Sequence, residues 1–105
     1  MNDLIIEKDQ QEAFELTYKM LDVQSKIKEF EYDLMFKELS NVIDYLIDRD
    51  LNSLLQILYR IDVDEEKLKQ ALQGAGDEET SGPLIAQMII ERQLQKIYFR
   101  RKFSK

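Results

Sequence analysis

Apolar residues at Leu16, Met20, Val23, Ile27, Phe30 and Leu34 alternate spacings of four and three, the seam of a packed helix or a short coiled coil. A second stripe, Tyr32, Phe36, Leu39, Ile43 and Leu46, is offset from the first by two residues. Two residues are about 200° around a helix, so one straight helix cannot present both stripes to the same neighbour. The phase slip therefore predicts a break or kink between residues 22 and 34, with Ser25 or Asp33 as a cap.

Further along, Asp50 is placed to cap a short helix with the face Leu51, Leu54, Leu55, Leu58 and Ile61. Asp62 and Glu65 have capping-box spacing before Leu68, Ala71 and Leu72. The segment "QGAGDEETSGP" ends that helix. Gly74 suits the left-handed position after its C-terminus, and Pro83 suits the first turn of a last helix running to about residue 100. Glu15 and Lys19, Asp22 and Lys26, Asp33 and Lys37, and Glu65 and Lys69 are acid–base pairs four apart, which face each other only on helices. With three Gly and one Pro to turn the chain, the reading is all-α: a compact bundle of four or five helices forming a single domain over residues 1–105.

The last helix changes character along its length. Leu84, Ile85, Ala86, Met88, Ile89 and Ile90 are apolar on nearly every side, which predicts a central position in the bundle. Beyond Glu91, Ala86, Ile90, Leu94 and Ile97 continue one stripe, while Arg92, Lys96, Phe99 and Phe103 form another, about 130° away.

Composition narrows the chemistry. The chain has 105 residues, enough for a conventional apolar core, and contains neither Cys nor His. That excludes disulfides, thiolate catalysis and every Cys- or His-based metal site, leaving an enzyme only carboxylates, Lys, Tyr, Arg or Ser. "DRDLNS" and "DVDEE" place Asp48, Asp50 and Asn52, and Asp62, Asp64 and Glu66, at the first, third and fifth positions of an EF-hand-like loop. Both lack the Gly at the sixth position and the Glu at the twelfth, so helix capping explains these acids better than calcium. No catalytic, cofactor or metal residues are assigned. Tyr59 and Arg60, beside an apolar run, are expected to be partly buried, with Arg60 paired to Asp62 or Asp64 as an anchor between helices.

Charge is distributed unevenly. The net charge is -6, yet the chain ends in "KIYFRRKFSK", and from Arg92 onward it carries six Lys or Arg and no acid. Residues 1–91 hold 21 acidic and 9 basic side chains, a net of -12. A polyanion approaching the tail would meet repulsion from the rest of the molecule, which disfavours nucleic acid and anionic membranes. The favoured reading has the tail's bases lying against the acidic body and the helix dipole while Phe99 and Phe103 dock into the bundle, with residues 99–105 as a basic tail prone to fraying. The second has Arg92, Lys96, Phe99, Arg100 and Phe103 binding a protein partner or another copy of the chain. The N-terminal segment "MNDLIIEKDQ" lacks a basic leader pattern, and "LIAQMII" falls far short of the roughly 20 residues that span a bilayer, so a soluble cytoplasmic protein is expected.

The stretches "LLQILYRIDVDEEKLKQAL" and "LIAQMIIERQLQKI", with the Gly-containing loop between them, resemble the C-terminal half of small uncharacterised helical proteins from bacteria of the Bacteroidetes type, over about residues 50–97. The resemblance implies a compact bacterial helical domain and carries no activity, cofactor or partner with it. Two functional classes follow. One is a noncatalytic interaction module, self-associating through the Leu16 to Leu34 seam or the second stripe of the last helix. The alternative is a small enzyme or ligand-binding bundle using carboxylate, Tyr or Arg side chains in a core pocket. The absence of His, Cys and a phosphate loop favours the first.

Overall fold

The computed structural model describes the backbone of residues 3–73 and 78–103 and the side chains of residues 7–73 and 81–103. Five helices are present among the described residues: α1 (Asp3–Leu21), α2 (Tyr32–Arg49), α3 (Leu51–Ile61), α4 (Glu65–Gln73) and α5 (Glu78–Phe103). They form an all-α bundle in which α5 packs against each of the other four. Ile85, Ala86, Ile89, Ile90 and Ile97 of α5 are fully buried against Phe14, Leu39, Ile43, Leu54 and Leu58 in one hydrophobic cluster. Each large side chain so buried favours the folded state by about 1.5–3 kcal/mol.

At the phase slip the chain does not kink; the helix stops. Asp22 adopts a left-handed conformation (φ 57°), and the Val23 N–H donates back to the Tyr18 carbonyl at 3.0 Å. This is a Schellman-type ending, with an apolar residue just past it folded onto the core. Val23, Ile27 and Phe30 thus come from the connection between α1 and α2, packing inward without being helical, and Leu34 is 49% exposed on α2. The six-residue seam expected from periodicity is therefore not a helix face, and no coiled coil can form along it. Neither proposed cap acts as one: Glu31 occupies the N-cap position of α2 without a side-chain bond, Ser25 lies back in the connection, and Asp33 sits in the first turn. The Asp22 and Lys26 pair also falls outside any helix.

Asp50 ends α2 and starts α3, its carboxylate accepting from the Ser53 N–H at 3.3 Å and the Ser53 hydroxyl at 2.8 Å. α3 closes as α1 does, with Asp62 left-handed (φ 70°), the Val63 N–H donating to the Leu58 carbonyl at 3.3 Å, and Val63 buried. With Asp62 used to end α3, the start of α4 falls to Asp64, which accepts from the Glu66 and Lys67 N–H groups at 2.8 and 3.2 Å. The capping box expected at Asp62 is thus replaced by a one-sided cap two residues later, since the residue three on from Asp64 is Lys67. Tyr59 and Arg60 are exposed, contrary to expectation, because the buried face of α3 runs through Leu54, Leu58 and Ile61.

α5 begins at Glu78, five residues before the Pro83 expected in its first turn. Pro83 therefore lies in the second turn, where its missing N–H forgoes the bond to the Glu79 carbonyl and its ring crowds that carbonyl. Gly82 is buried against α2, where an added Cβ would overlap the Asp44 carboxylate. The Gly74 expectation lies outside the described residues. α5 continues to Phe103, beyond the expected end, so residues 99–103 are helical. No helix among the described residues is long and apolar enough to cross a membrane.

Candidate functional site: the basic and aromatic end of α5

Ile97 is the last fully buried residue of α5. The helix runs on for six more residues, roughly 9 Å. The C-terminal turn of α3 lies beside Arg92 and Lys96, and α1 runs alongside in the opposite direction. Long basic side chains can reach back to these neighbours, and rings cannot.

The bases do reach back. Arg92 Nε donates to the Asp62 backbone carbonyl at 3.1 Å and Nη2 to the Asp62 carboxylate at 3.2 Å, while Nη1 donates to Gln95. The guanidinium thereby holds the left-handed residue that ends α3, where carbonyls carry the negative end of the helix dipole. Arg92 is thus the partner that sequence reasoning gave to Arg60. Lys96 Nζ donates to the Arg60 carbonyl at 3.5 Å in the same C-terminal turn. Arg100 pairs with Glu12, and Arg101 with Asp9, both on α1.

The rings do not dock. Tyr98, Phe99 and Phe103 are 58%, 50% and 72% exposed, which corrects the expectation that Phe99 and Phe103 pack into the bundle. They touch one another instead: Phe99 and Phe103 stack with centroids 6.2 Å apart, and Tyr98 meets Phe99 edge-on at 5.6 Å. Lys102 lies over both Tyr98 and Phe103, 5.8 and 5.9 Å from the ring centres. Of the five residues assigned to partner binding, Arg92, Lys96 and Arg100 turn to the chain's own body, and Phe99 and Phe103 face solvent.

A second polar constellation escaped sequence reasoning. Glu38 accepts from the Tyr18 hydroxyl at 2.6 Å, the Ser25 hydroxyl at 2.6 Å and the Lys26 N–H at 2.9 Å, drawing the α1–α2 connection onto α2. Burial pushes the Glu38 carboxyl up, but these three donors outweigh it and hold it below the usual carboxylate range. Burial first, and then the Glu38 carboxylate, raise the Tyr18 phenol well above its ordinary value. The donors and acceptors are mutually satisfied, as in a latch. Tyr18, Ser25 and Glu38 are widely spaced in sequence and on different segments, so no local motif marks them.

Two open depressions lie side by side between α4 and α5, of about 530 and 390 Å³, sharing Lys67, Met88 and Glu91. The larger has Val63 and Met88 as its apolar part and Asp64, Glu65 and Glu91 among its acids. Neither is lined by Tyr18, Ser25 or Glu38. Among the described residues no group of three or more acidic side chains is placed to hold a metal ion. No protein-family model matches this chain, and no curated protein or solved structure matches it either.

Proposed function

We propose that this chain is a noncatalytic helical interaction module that binds protein through Tyr98, Phe99, Lys102 and Phe103 at the end of α5. One observation carries the reading: three adjoining rings stand exposed while Arg92, Lys96, Arg100 and Arg101 are spent on the chain's own body. Aromatic residues are the side chains that most often anchor protein contacts, and a cluster of them rimmed by polar groups is unusual on a surface with no partner. Nucleic acid and anionic lipid fit less well, because phosphates would have to displace Asp9, Glu12 and Asp62 from the arginines they engage.

The test is a photocrosslinking amino acid placed at Phe103 and, as a control, at the exposed Gln56 of α3, in cells that express the protein natively. Discrete crosslinked species at position 103 and none at position 56 are expected. Equal labelling at both, or none at 103, would overturn the reading.

A further inference from the structure

Resting on that reading of the aromatic end, we infer that its partner is a second copy of this chain: two α5 helices run antiparallel about a twofold axis at Gln95, and each aromatic end lies in the depressions between α4 and α5 of the other copy.

The two halves of this contact occupy one face of one helix. At 100° per residue, Met88 in the depressions, Gln95 at their end and Phe99 on the ridge fall within about 40° of one another around α5. The depressions take in α5 from Leu84 to Gln95, and the ridge follows from Tyr98 to Phe103. Their midpoints are roughly 16 Å apart along the axis at 1.5 Å per residue. A twofold placed halfway, at Gln95, lays each ridge over the other copy's depressions at once. Both contacts form together and the assembly closes as a dimer instead of growing into a filament. Gln95 then meets its own counterpart; its carbonyl accepts from Arg92 at 3.0 Å with one lone pair, and its amide N–H groups can donate across the axis to the second lone pair of the counterpart's carbonyl.

The charges match in this register. Lys102 has no ion-pair partner among the described residues and comes opposite Met88, within one turn of Glu91. The larger depression is lined by Asp62, Asp64, Glu65 and Glu91 against Lys67 and Arg92, an excess of two acids, with Asp62 and Arg92 paired to each other. A copy of this chain thus supplies the acidic, partly apolar trough that a ridge of three rings and one free ammonium calls for. The area is adequate but not generous. Rings that bury about 150–250 Å² each when covered, at their observed exposures, offer roughly 350 Å² per ridge. With a depression of similar extent on each copy, about 700 Å² is covered per chain, just under the ~800 Å² of a standard interface. The dimer should therefore be weak and concentration-dependent.

Sedimentation velocity of the full chain across the micromolar to millimolar range tests this. The weight-average mass should rise from one chain toward two, and Phe99→Ser with Phe103→Ser should remain monomeric. Lys102→Glu and Glu91→Lys should each weaken association about tenfold by setting like charges together. Mixed in equal amounts, these two variants should associate as wild type does, since both contacts of the mixed dimer then pair opposite charges. Far-UV circular dichroism checks that each variant is folded, and the charge exchange stands by itself if the ring variant is not. A wild-type monomer throughout, or association indifferent to both charge changes, would overturn the inference. The crosslink at position 103 separates this from the broader reading. An adduct of two chains supports both, an adduct with a different protein leaves only the interaction module, and no adduct removes both.

Discussion

The α1–α2 corner and the end of α5 are made of the same materials and dispose them in opposite ways. In the corner, Phe14 meets Phe30 and Tyr32 with ring centres 5.9 and 5.4 Å apart at the edge of the core, and polar groups from three segments close over them on the Glu38 carboxylate. At the end of α5, the polar groups turn inward to the body and the rings stay outside. The difference is one of neighbours. The corner has two helices and a connection to cover its rings, whereas the rings of α5 lie beyond Ile97, its last buried residue. Rings with a place inside contribute stability; rings without one remain for something else to cover.

The largest test of that contrast is a pair of truncations. Phe14→Ala should destabilise the fold by about 4 kcal/mol, the usual loss for a fully buried phenylalanine. Phe103→Ala should change it by less than about 0.5 kcal/mol, as for an exposed surface position. Urea unfolding of the two variants measures both, and comparable losses would break the contrast.

The polar groups should differ in the same sense. Glu38→Gln removes the charge from a partly exposed acceptor of three hydrogen bonds and should cost about 1 kcal/mol. The same group gives the corner a pH dependence of definite sign. Because the folded carboxyl titrates below its unfolded value, its stabilising effect is present above the ordinary carboxylate pKa and is lost as pH falls through the folded one. Wild type should therefore lose stability on acidification, and Glu38→Gln should lose less, which unfolding at neutral pH and at about pH 3 will show.

Asp22 sharpens the comparison from the other side, since the corner holds a non-glycine residue at positive φ. Asp22→Gly should raise stability by about 0.5–1 kcal/mol by relieving that conformation, read as an upward shift in Tm. The smallest effect belongs to the exposed ion pairs. Arg100→Ala and Arg101→Ala should each cost no more than about 0.5 kcal/mol at low salt and nothing measurable in molar salt.

Period and caps revealed α2, α3 and the buried stretch of α5, because in each the apolar spacing follows a real helix face and Asp50 is a local signal. The connection between α1 and α2 was hidden for a physical reason. Val23, Ile27 and Phe30 pack inward from irregular backbone at spacings that imitate a helix, and no glycine announces the stop. A signal did exist: "LDV" at residues 21–23 and "IDV" at 61–63 each put an aspartate in the left-handed position and a valine just beyond it on the core. At the end of α5, composition located the site but could not say which residues face in. That depended on how the C-terminal turn of α3 meets Arg92 and Lys96 and on which acids of α1 lie alongside, and both follow only from the packed bundle.

If the rings at the end of α5 are held out of the fold, equilibrium urea unfolding of Phe99→Ser with Phe103→Ser will show it. The double variant should match wild type to within about 0.5 kcal/mol at a protein concentration where the chain is monomeric, as expected for exposed positions. A loss of about 2 kcal/mol or more would mean that the rings support the bundle itself, and would contradict the assignment of this surface to a partner.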